Sequence, residues 1–308
     1  MRNSRNNILV PINFKSESLI ALKNTYKIAA FVKAKLVLLY VIPPVDFVHS
    51  LMHTDEEFEK IQKEAHHRLN VLANEAQKES GLEVITIVKQ GKPYKKILET
   101  AEEIQARFII MGKRIPEPDE VHFLGSIITQ VVRQAKVPVI TMKGSLDKPI
   151  DFSNFLLPLD LTQHSREKVF NAIAFALHYK AKIHLVSVLM GGVPLFQSRI
   201  YRKMKRITKI IRENGVACTM HLYKKSERPV DEVILEHARI VGADMMFIMT
   251  HKESNISDNY IGAVAYKLIN HSDIPVLSVT SHAAGNDNDD LIKTVLDPFG
   301  IWNKKKDF

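Results

Sequence analysis

The feature of this sequence that most constrains its fold is an internal repeat. The segment NNILVPINFKSESLIALKNTYKIAAFVKAKLVLLYVI, which starts at Asn6, aligns without gaps to SNFLLPLDLTQHSREKVFNAIAFALHYKAKIHLVSVL, which starts at Ser153. Pro11 and Pro158 occupy the same place in this alignment. The match runs through an apolar segment, an amphipathic segment and a second apolar segment, so it indicates a duplicated structural unit rather than a chance likeness.

A second block repeats further along each half. KKILETAEEIQARFII followed by LGSIITQVVRQAKVPVI resembles DEVILEHARIVGADMMFI followed by IGAVAYKLINHSDIPVL, and it pairs Gly125 with Gly262 and Pro138 with Pro275. The first half carries extra length between its second and third apolar runs. Since a domain takes roughly 150 residues, a chain of 308 residues accommodates two of them.

The repeat predicts two domains and a tail. We place the first domain at residues 1–146 and the second at 150–281, joined near Gly144 to Pro149, with a C-terminal tail at 282–308. Apolar residues in the tail are expected to dock on the body of the protein.

Each half alternates apolar runs with amphipathic helical patterns. The runs of the first half are ILVPI, KLVLLYVI, EVITIV, FIIM and VPVITM, and such continuous runs predict parallel strands buried on both faces between helices. The helix after the second strand is expected to bury one stripe, made of Phe58, Ile61, Ala65, Leu69, Leu72 and Ala76. The prediction is an α/β protein with two tandem doubly wound five-stranded parallel sheets of strand order 3-2-1-4-5.

In such a sheet the winding reverses between the first and fourth strands, and ligands bind there at the carboxyl ends. In the first half those ends are Asn13 and Met111–Gly112. In the second half they are Asp160 and Met249–Thr250.

Composition predicts a cytoplasmic protein without a membrane partner. The polar start MRNSRNN does not resemble a secretory signal, and no apolar stretch approaches the roughly 20 residues of a membrane span. The lone Cys218 cannot form an internal disulfide, which fits a reducing compartment, and it is expected to serve as a small apolar filler.

The net charge of +9 raises the question of a polyanionic partner. The densest basic run is Arg202, Lys203, Lys205, Arg206, Lys209 and Arg212, on a segment whose Ile200, Met204, Ile207 and Ile211 recur at helical spacing. Neither interleaved aromatic residues nor a known binding module accompanies the run. The sequence therefore favours a solvated helix face over nucleic-acid binding.

Glycine and serine residues after the fourth strand suggest an anion site. Gly112 is followed by a polar loop, and Gly125–Ser126 opens an apolar-periodic helix whose amides and hydroxyl suit a phosphate. An ordinary strand-to-loop turn with a helix cap explains the same residues, and on these residues alone it is the more common arrangement.

The strand ILVPINF, the strand LLYV, the run IIMGKR, the helix opened by GS and the final VPVITM together resemble the universal stress protein family. The resemblance covers residues 6–143 and again 153–280. It implies the adenine nucleotide alpha hydrolase-like fold. It also implies, for the nucleotide-binding members, a phosphate loop of glycine, two residues, glycine, nine residues, then glycine and serine or threonine.

The first half keeps this spacing but has Ile115 at the second glycine and Asn13 where the family usually carries aspartate. Lys113 and Arg114 are expected to offset the loss by supplying positive charge. The resemblance implies that ATP or another adenine nucleotide contacts Pro11, Asn13, Val41, Met111, Gly112, Arg114, Gly125, Ser126, Ile127 and Ile128.

The second half departs further from the pattern. It reads Thr250, His251, Lys252 and Glu253 and, after eight residues, Gly262–Ala263, so two glycines and the serine hydroxyl are lost. The corresponding contacts are Pro158, Asp160, Val188, Thr250 and Gly262, and this half is expected to bind ATP poorly.

Family members pair through their last strands, so the resemblance implies pairing within the chain between Val137–Met142 and Ile274–Val279. Such pairing closes two exposed strand edges. Pro138 and Pro275 suit an edge or a strand start because they lack an N–H donor.

No catalytic or metal-binding motif stands out: GxxxxGK[ST], GxSxG, HExxH and CxxC are all missing. The adjacent His66 and His67 point in different directions on a helix. The favoured hypothesis is a non-catalytic stress-response or regulatory protein whose first domain senses an adenine nucleotide. The alternatives are an interaction scaffold that binds no nucleotide and a weak ATPase.

Overall fold

The computed structural model describes residues 6–44, 55–114, 125–143, 150–160, 166–190, 194–250 and 262–280. These residues divide into two compact units, one within residues 6–143 and the other within residues 150–280. The junction at 144–149 and the tail at 282–308 lie outside the described residues. The domain boundaries of the sequence analysis stay predictions.

The elements of the first unit alternate between strand and helix. They are β1 (Asn7–Ile12), α1 (Ser16–Val32), β2 (Lys35–Ile42), α2 (Asp55–Ser80), β3 (Val84–Gln90), α3 (Pro93–Glu103), β4 (Ala106–Gly112), α4 (Ser126–Gln134) and β5 (Val139–Met142).

The second unit repeats the same succession. Its elements are β6 (Asn154–Pro158), α5 (Arg166–Tyr179), β7 (Lys182–Met190), α6 (Pro194–Glu213), β8 (Cys218–Ser226), α7 (Val230–Ile240), β9 (Met245–Thr250), α8 (Ala263–His271) and β10 (Val276–Thr280).

Strand order confirms the doubly wound prediction in both units. The first unit has the order β3-β2-β1-β4-β5 and the second the order β8-β7-β6-β9-β10. Every neighbouring pair within a unit is parallel. The carboxyl ends of all five strands therefore lie at one edge of each unit's sheet.

The central strands form the core, as continuous apolar runs predict. Ile8, Leu9 and Val10 of β1 are fully buried. In the second unit Phe247 of β9 lies 5.4 Å from the ring of Phe155 on β6, in an edge-on contact. Aromatic pairs in this geometry add to the stability that burial alone gives.

For β3 the prediction of a strand buried on both faces is wrong. None of its seven residues is buried, and Ile85 is 40% exposed. The strand order explains the difference, because β3 is the terminal strand of the order and, among the described strands, pairs with β2 alone. An apolar run thus predicts a strand but not its place in the sheet.

The predicted stripe of α2 is confirmed in its second half. Ala65, Leu69 and Ala76 are buried, but Leu72 is only half-buried and Ile61 is 44% exposed. Ala73 takes a buried place that the prediction missed. A helix of 26 residues spans about 39 Å, and strands of seven or eight residues span only about 27 Å. The first turns of α2 therefore extend past the strands that would cover them. The side chain of Phe58 lies outside the described part of the chain.

The duplication extends to the backbone conformation of single residues. Lys33 after α1 has φ 52° and its repeat equivalent Lys180 after α5 has φ 56°. Gln105 after α3 has φ 49° and its equivalent Gly242 after α7 has φ 58°. Left-handed residues end these four helices, as is common at helix C-termini, and only one of the four is glycine.

Cys218 is buried, as expected of an apolar filler, and burial raises the pKa of its thiol to about 11. The thiol is therefore protonated at neutral pH, whereas the reactive form of cysteine is the thiolate. Among the described helices, none combines the length and the apolar character that a membrane crossing requires.

Candidate functional site

The ends of β1 and β4 meet at the carboxyl edge of the first unit. Leu9 is level with Ile109 across the two strands, and each strand ends three residues further on, β1 at Ile12 and β4 at Gly112. Asn13 follows β1 directly, and Val41 lies near the end of β2 on the other side of β1. This is the position where the winding of the sheet reverses, so the residues predicted for the ligand share one edge.

Gly112 is fixed by packing against a helix. A Cβ atom at this position would lie 1.8 Å from the carbonyl oxygen of Glu17 and 3.0 Å from the backbone nitrogen of Ser18. The end of β4 thus presses on the first turn of α1 so closely that no side chain fits between them. This contact accounts for glycine at position 112 without a ligand.

Gly125, in contrast, stands at an open helix start. It is the N-cap of α4 with φ −50° and ψ 141°, a conformation that any residue adopts. Among the described atoms none lies within 4 Å of the place a Cβ would take. Because β4 and β5 are parallel, α4 must begin at the same carboxyl edge at which β4 ends.

The first turn of α4 faces solvent. Gly125 and Ser126 are exposed and Ile127 is 39% exposed, whereas Ile128 is buried against the body of the unit. The first N–H groups of a helix have no intrahelical acceptor and carry partial positive charge, which suits an anion. Of the residues predicted to contact phosphates, this turn offers the most accessible donors.

Asn13 is held by the beginning of α1. Its side-chain oxygen accepts a hydrogen bond from the Lys15 N–H at 3.0 Å, and its amide donates to Oε1 of Glu17 at 3.2 Å. An aspartate here would set two carboxylates against each other, which explains why asparagine accompanies Glu17. In the second half the matching residues are Asp160 and His164, of which His164 lies outside the described residues.

A cluster of side chains beside Asn13 escaped the sequence analysis. The ring of Phe14 lies 5.0 Å from that of Tyr40, and the guanidinium of Arg68 lies 4.4 Å above the Phe14 ring. Phe14 has a left-handed backbone with φ 60°, which an aromatic residue rarely adopts. The sequence signal that could have revealed this cluster was an aromatic residue, Phe14 or Tyr40, near the end of each of two adjacent predicted strands.

The two cations after β4 differ in their exposure. The side chain of Lys113 is only 4% exposed, and its backbone N–H donates to the Met142 carbonyl at 2.8 Å. Arg114 is exposed. Lys113 and Arg114 were both expected to face phosphates, and of these two residues Arg114 is the one exposed to solvent. Ile115, which replaces the second loop glycine, lies outside the described residues.

In the second unit, lysine side chains occupy the carboxyl end of β6. The ammonium of the buried Lys168 donates to the Pro158 carbonyl at 2.6 Å, and that of Lys203 donates to the Asp160 carbonyl at 2.9 Å. Burial lowers the pKa of Lys168 to about 8, against the opposing effect of the Asp160 charge. The first half has Ala21 at the place of Lys168, so no such group reaches the end of β1 from that position.

The other residues predicted for the second site differ in how deeply they are buried. Thr250 is 2% exposed and its hydroxyl donates to the Val279 carbonyl at 3.3 Å. Gly262 caps α8 with φ −51° and ψ 136°, nearly the geometry of Gly125. Val188 on β7 is half-buried. His251, Lys252 and Glu253 lie outside the described residues. The two halves thus share backbone geometry at the helix start and differ in the side chains around it.

Within the described residues, no group of three histidine, cysteine, aspartate or glutamate side chains is arranged to hold a metal ion.

Two consecutive doubly wound α/β units, each with a glycine-capped helix after its fourth strand, define a tandem protein of the class that places its ligand site between the first and fourth strands. The sequence profile of the universal stress protein family matches residues 4–143 and again residues 151–280. The chain belongs to the universal stress protein family and carries two of its domains in tandem.

Individual relatives agree with this assignment. Two universal stress proteins of Methanocaldococcus jannaschii are 29% and 27% identical to the chain, over 148 and 152 residues. These matches cover 46% and 44% of this chain and 86% and 93% of the relatives, which correspond to one of its two halves. A universal stress protein from Archaeoglobus fulgidus has a similar fold over both halves, with a TM-score of 0.73 and 19% identity, covering 90% of this chain and 98% of that one.

Proposed function

We propose that this protein is a non-catalytic regulatory member of its family whose first half binds an adenine nucleotide and whose second half does not. The nucleotide lies at the carboxyl edge of β1 and β4, with its phosphates on the first turn of α4. The observation that carries the proposal is the open helix start at Gly125 with the exposed Ser126 beside it. Gly262 is equally open, but its loop does not keep the family spacing and Ala263 offers no hydroxyl.

The side chains of the first half support this assignment. The exposed Ser126 adds a hydroxyl to the free N–H groups of α4, and the exposed Arg114 adds a positive charge after β4. Beside Asn13, the rings of Phe14 and Tyr40, tilted by 46° to each other, provide aromatic surface for a base. We therefore assign the base to the side of β1 and β2 and the phosphates to the side of β4 and α4.

The second half lacks matching chemistry. Ala263 stands where Ser126 provides a hydroxyl, and the ammonium groups of Lys168 and Lys203 are bound to backbone carbonyls at the end of β6. We propose that these lysines close the carboxyl end of β6 to a ligand. The absence of the usual hydrolase motifs leads us to propose binding without turnover.

A matched pair of substitutions tests the proposal. Gly125→Asp places a carboxylate where a phosphate is expected, and aspartate is a favourable N-cap, so α4 itself is not weakened. Gly262→Asp makes the same change at the equivalent place in the second half. We expect ATP at about 100 times its Kd to stabilise the parent and Gly262→Asp by about 2.7 kcal/mol, and Gly125→Asp hardly at all.

Thermal unfolding with and without ATP measures these shifts. Stabilisation of Gly125→Asp equal to that of the parent would remove the site from α4. Stabilisation lost only in Gly262→Asp would transfer it to the second half. A parent chain that ignores ATP altogether would favour the interaction scaffold.

A further inference from the structure

The exposed side of α6 carries a dense positive charge that the nucleotide site does not use. The helix contains seven arginine and lysine residues and a single acidic residue, Glu213. Six of the cations are exposed, and we call them the basic face: Arg199, Arg202, Lys205, Arg206, Lys209 and Arg212.

The helical repeat places the basic face opposite the buried stripe. Ile200, Met204 and Ile211 are fully buried and point into the unit. At 3.6 residues per turn, the six cations fall on the other side of the cylinder, in steps of three and four residues. The row from Arg199 to Arg212 extends over about 20 Å at a rise of about 1.5 Å per residue.

Neutralisation by nearby acids is slight. Within the described residues, the basic face has one acidic contact, from Lys209 to Glu213 at 3.8 Å. Arg202 and Arg212 instead donate to backbone carbonyls, of Ser198 and Cys218. Side-chain cations without counter-charges create a positive potential that attracts a polyanion.

The internal repeat supplies a comparison. The equivalent helix of the first half, α2, contains seven acidic and four basic residues. Both helices lie between the second and third strands of their unit and bury an apolar stripe, so the fold does not require either charge. The fold therefore does not explain the cations of α6, which indicate a role that α2 does not have.

The residue types of the basic face favour some polyanionic partners over others. Four of its six residues are arginine, whose fork of N–H donors matches the two oxygens of a phosphate. Tyr201, 41% exposed, lies next to them with the Lys205 ammonium 4.8 Å from its ring centre, and an exposed ring beside cations suits a nucleic-acid base. A lipid surface is disfavoured because the helix already buries its apolar side within the protein.

We propose that the basic face of α6 binds the phosphate backbone of a nucleic acid. The sequence alone favoured a solvated helix, and that prediction overlooked Tyr201, which directly precedes Arg202. The structure adds the exposure of six cations on one face, the scarcity of acidic contacts and the exposed ring of Tyr201, and it shows these features together.

Fluorescence anisotropy with a labelled single-stranded RNA of mixed sequence, titrated with the full chain at several salt concentrations, tests the proposal. The variant Arg199→Glu/Arg202→Glu/Arg206→Glu is expected to bind at least about 100-fold more weakly, and the slope of log affinity against log salt should fall by about three. The control Lys60→Glu/Lys63→Glu/Lys78→Glu changes the net charge equally on exposed positions of α2 and should bind as the parent does.

Equal losses in the two variants would mean that net charge alone drives binding and would overturn the proposal, as would a parent that binds no RNA at low salt. Stronger binding to vesicles containing phosphatidylserine than to RNA would assign the face to a membrane surface instead. If the glutamate variant does not fold, Arg199→Gln/Arg202→Gln/Arg206→Gln gives the same comparison, with unchanged binding as the contradicting result.

Discussion

Single residues show how packing and ligand binding produce the same sequence signal. Both Gly112 and Gly125 belong to the family's phosphate pattern, yet a Cβ at Gly112 would collide with the Glu17 carbonyl, whereas Gly125 faces open space among the described atoms. Glycine at the first position is required by the strand–helix contact, and only at the second does the structure leave room for a ligand.

Replacing each of these glycines by alanine separates the two roles. Gly112→Ala should lower the free energy of unfolding by about 2–4 kcal/mol, because backbone must move to admit the methyl group. Gly125→Ala should change it by less than about 1 kcal/mol, since its backbone angles are ordinary and its surroundings open. Urea denaturation measures both. A mild effect at Gly112 would mean that β4 and α1 are packed less closely than described.

The free-energy cost of burying the Lys168 ammonium can be measured from the pH dependence of stability. Its folded pKa, about 8, lies below the ordinary 10.5, so the folded state releases the proton first and stability rises with pH between these values. Below pH 8 the ammonium is charged in both states, and its burial opposes folding. Lys168→Met should therefore stabilise the protein at pH 7 by about 1–3 kcal/mol, and this gain should shrink toward pH 10.5.

Lys182→Met, at an exposed position, serves as the control and should change little across the same range. A loss of stability in Lys168→Met at pH 7 would show that the hydrogen bond to the Pro158 carbonyl outweighs the cost of burying the charge.

At the scale of elements, the duplicated sequence preserves helix ends even where the residue type changes. Gln105 and Gly242 occupy equivalent left-handed positions after α3 and α7. Glutamine pays a steric cost there that glycine does not.

Gln105→Gly should raise the free energy of unfolding by about 0.5–1 kcal/mol, the steric relief being offset in part by the greater freedom of glycine in the unfolded chain. Gly242→Gln should lower it by a similar amount. Opposite signs in the two denaturation experiments are the expected result. A destabilising Gln105→Gly would indicate that the glutamine side chain makes contacts worth more than the backbone strain.

Most elements could be predicted from the sequence because apolar periodicity reports burial directly. The run KLVLLYVI coincides with β2, and the stripe of α6 is buried in full. An apolar run does not show whether its strand lies at the edge of the sheet, as β3 illustrates. The edge position depends on the order of all the strands. The Phe14–Tyr40–Arg68 cluster escaped for a similar reason, since it joins a residue of the β1–α1 connection to residues of β2 and α2.

At the scale of the whole molecule, the two halves keep one architecture and differ in their chemistry. Both halves have an open helix start, but only the first adds an exposed serine and an exposed arginine among the residues predicted for the ligand. The second has lysines bound at the end of β6 and a strongly basic α6. Duplication followed by divergence accounts for this pattern, and we propose that the first copy alone binds the nucleotide. The pairing of the final strands of the two halves stays a prediction of the sequence analysis.

The central claim is that one half of the chain holds an adenine nucleotide. The most direct measurement is to denature freshly purified protein and to identify any released small molecule, and its ratio to chain, by chromatography and mass spectrometry. We expect about one adenine nucleotide per chain, retained in Gly262→Asp and lost in Gly125→Asp. An empty chain that also fails to bind added ATP would contradict it.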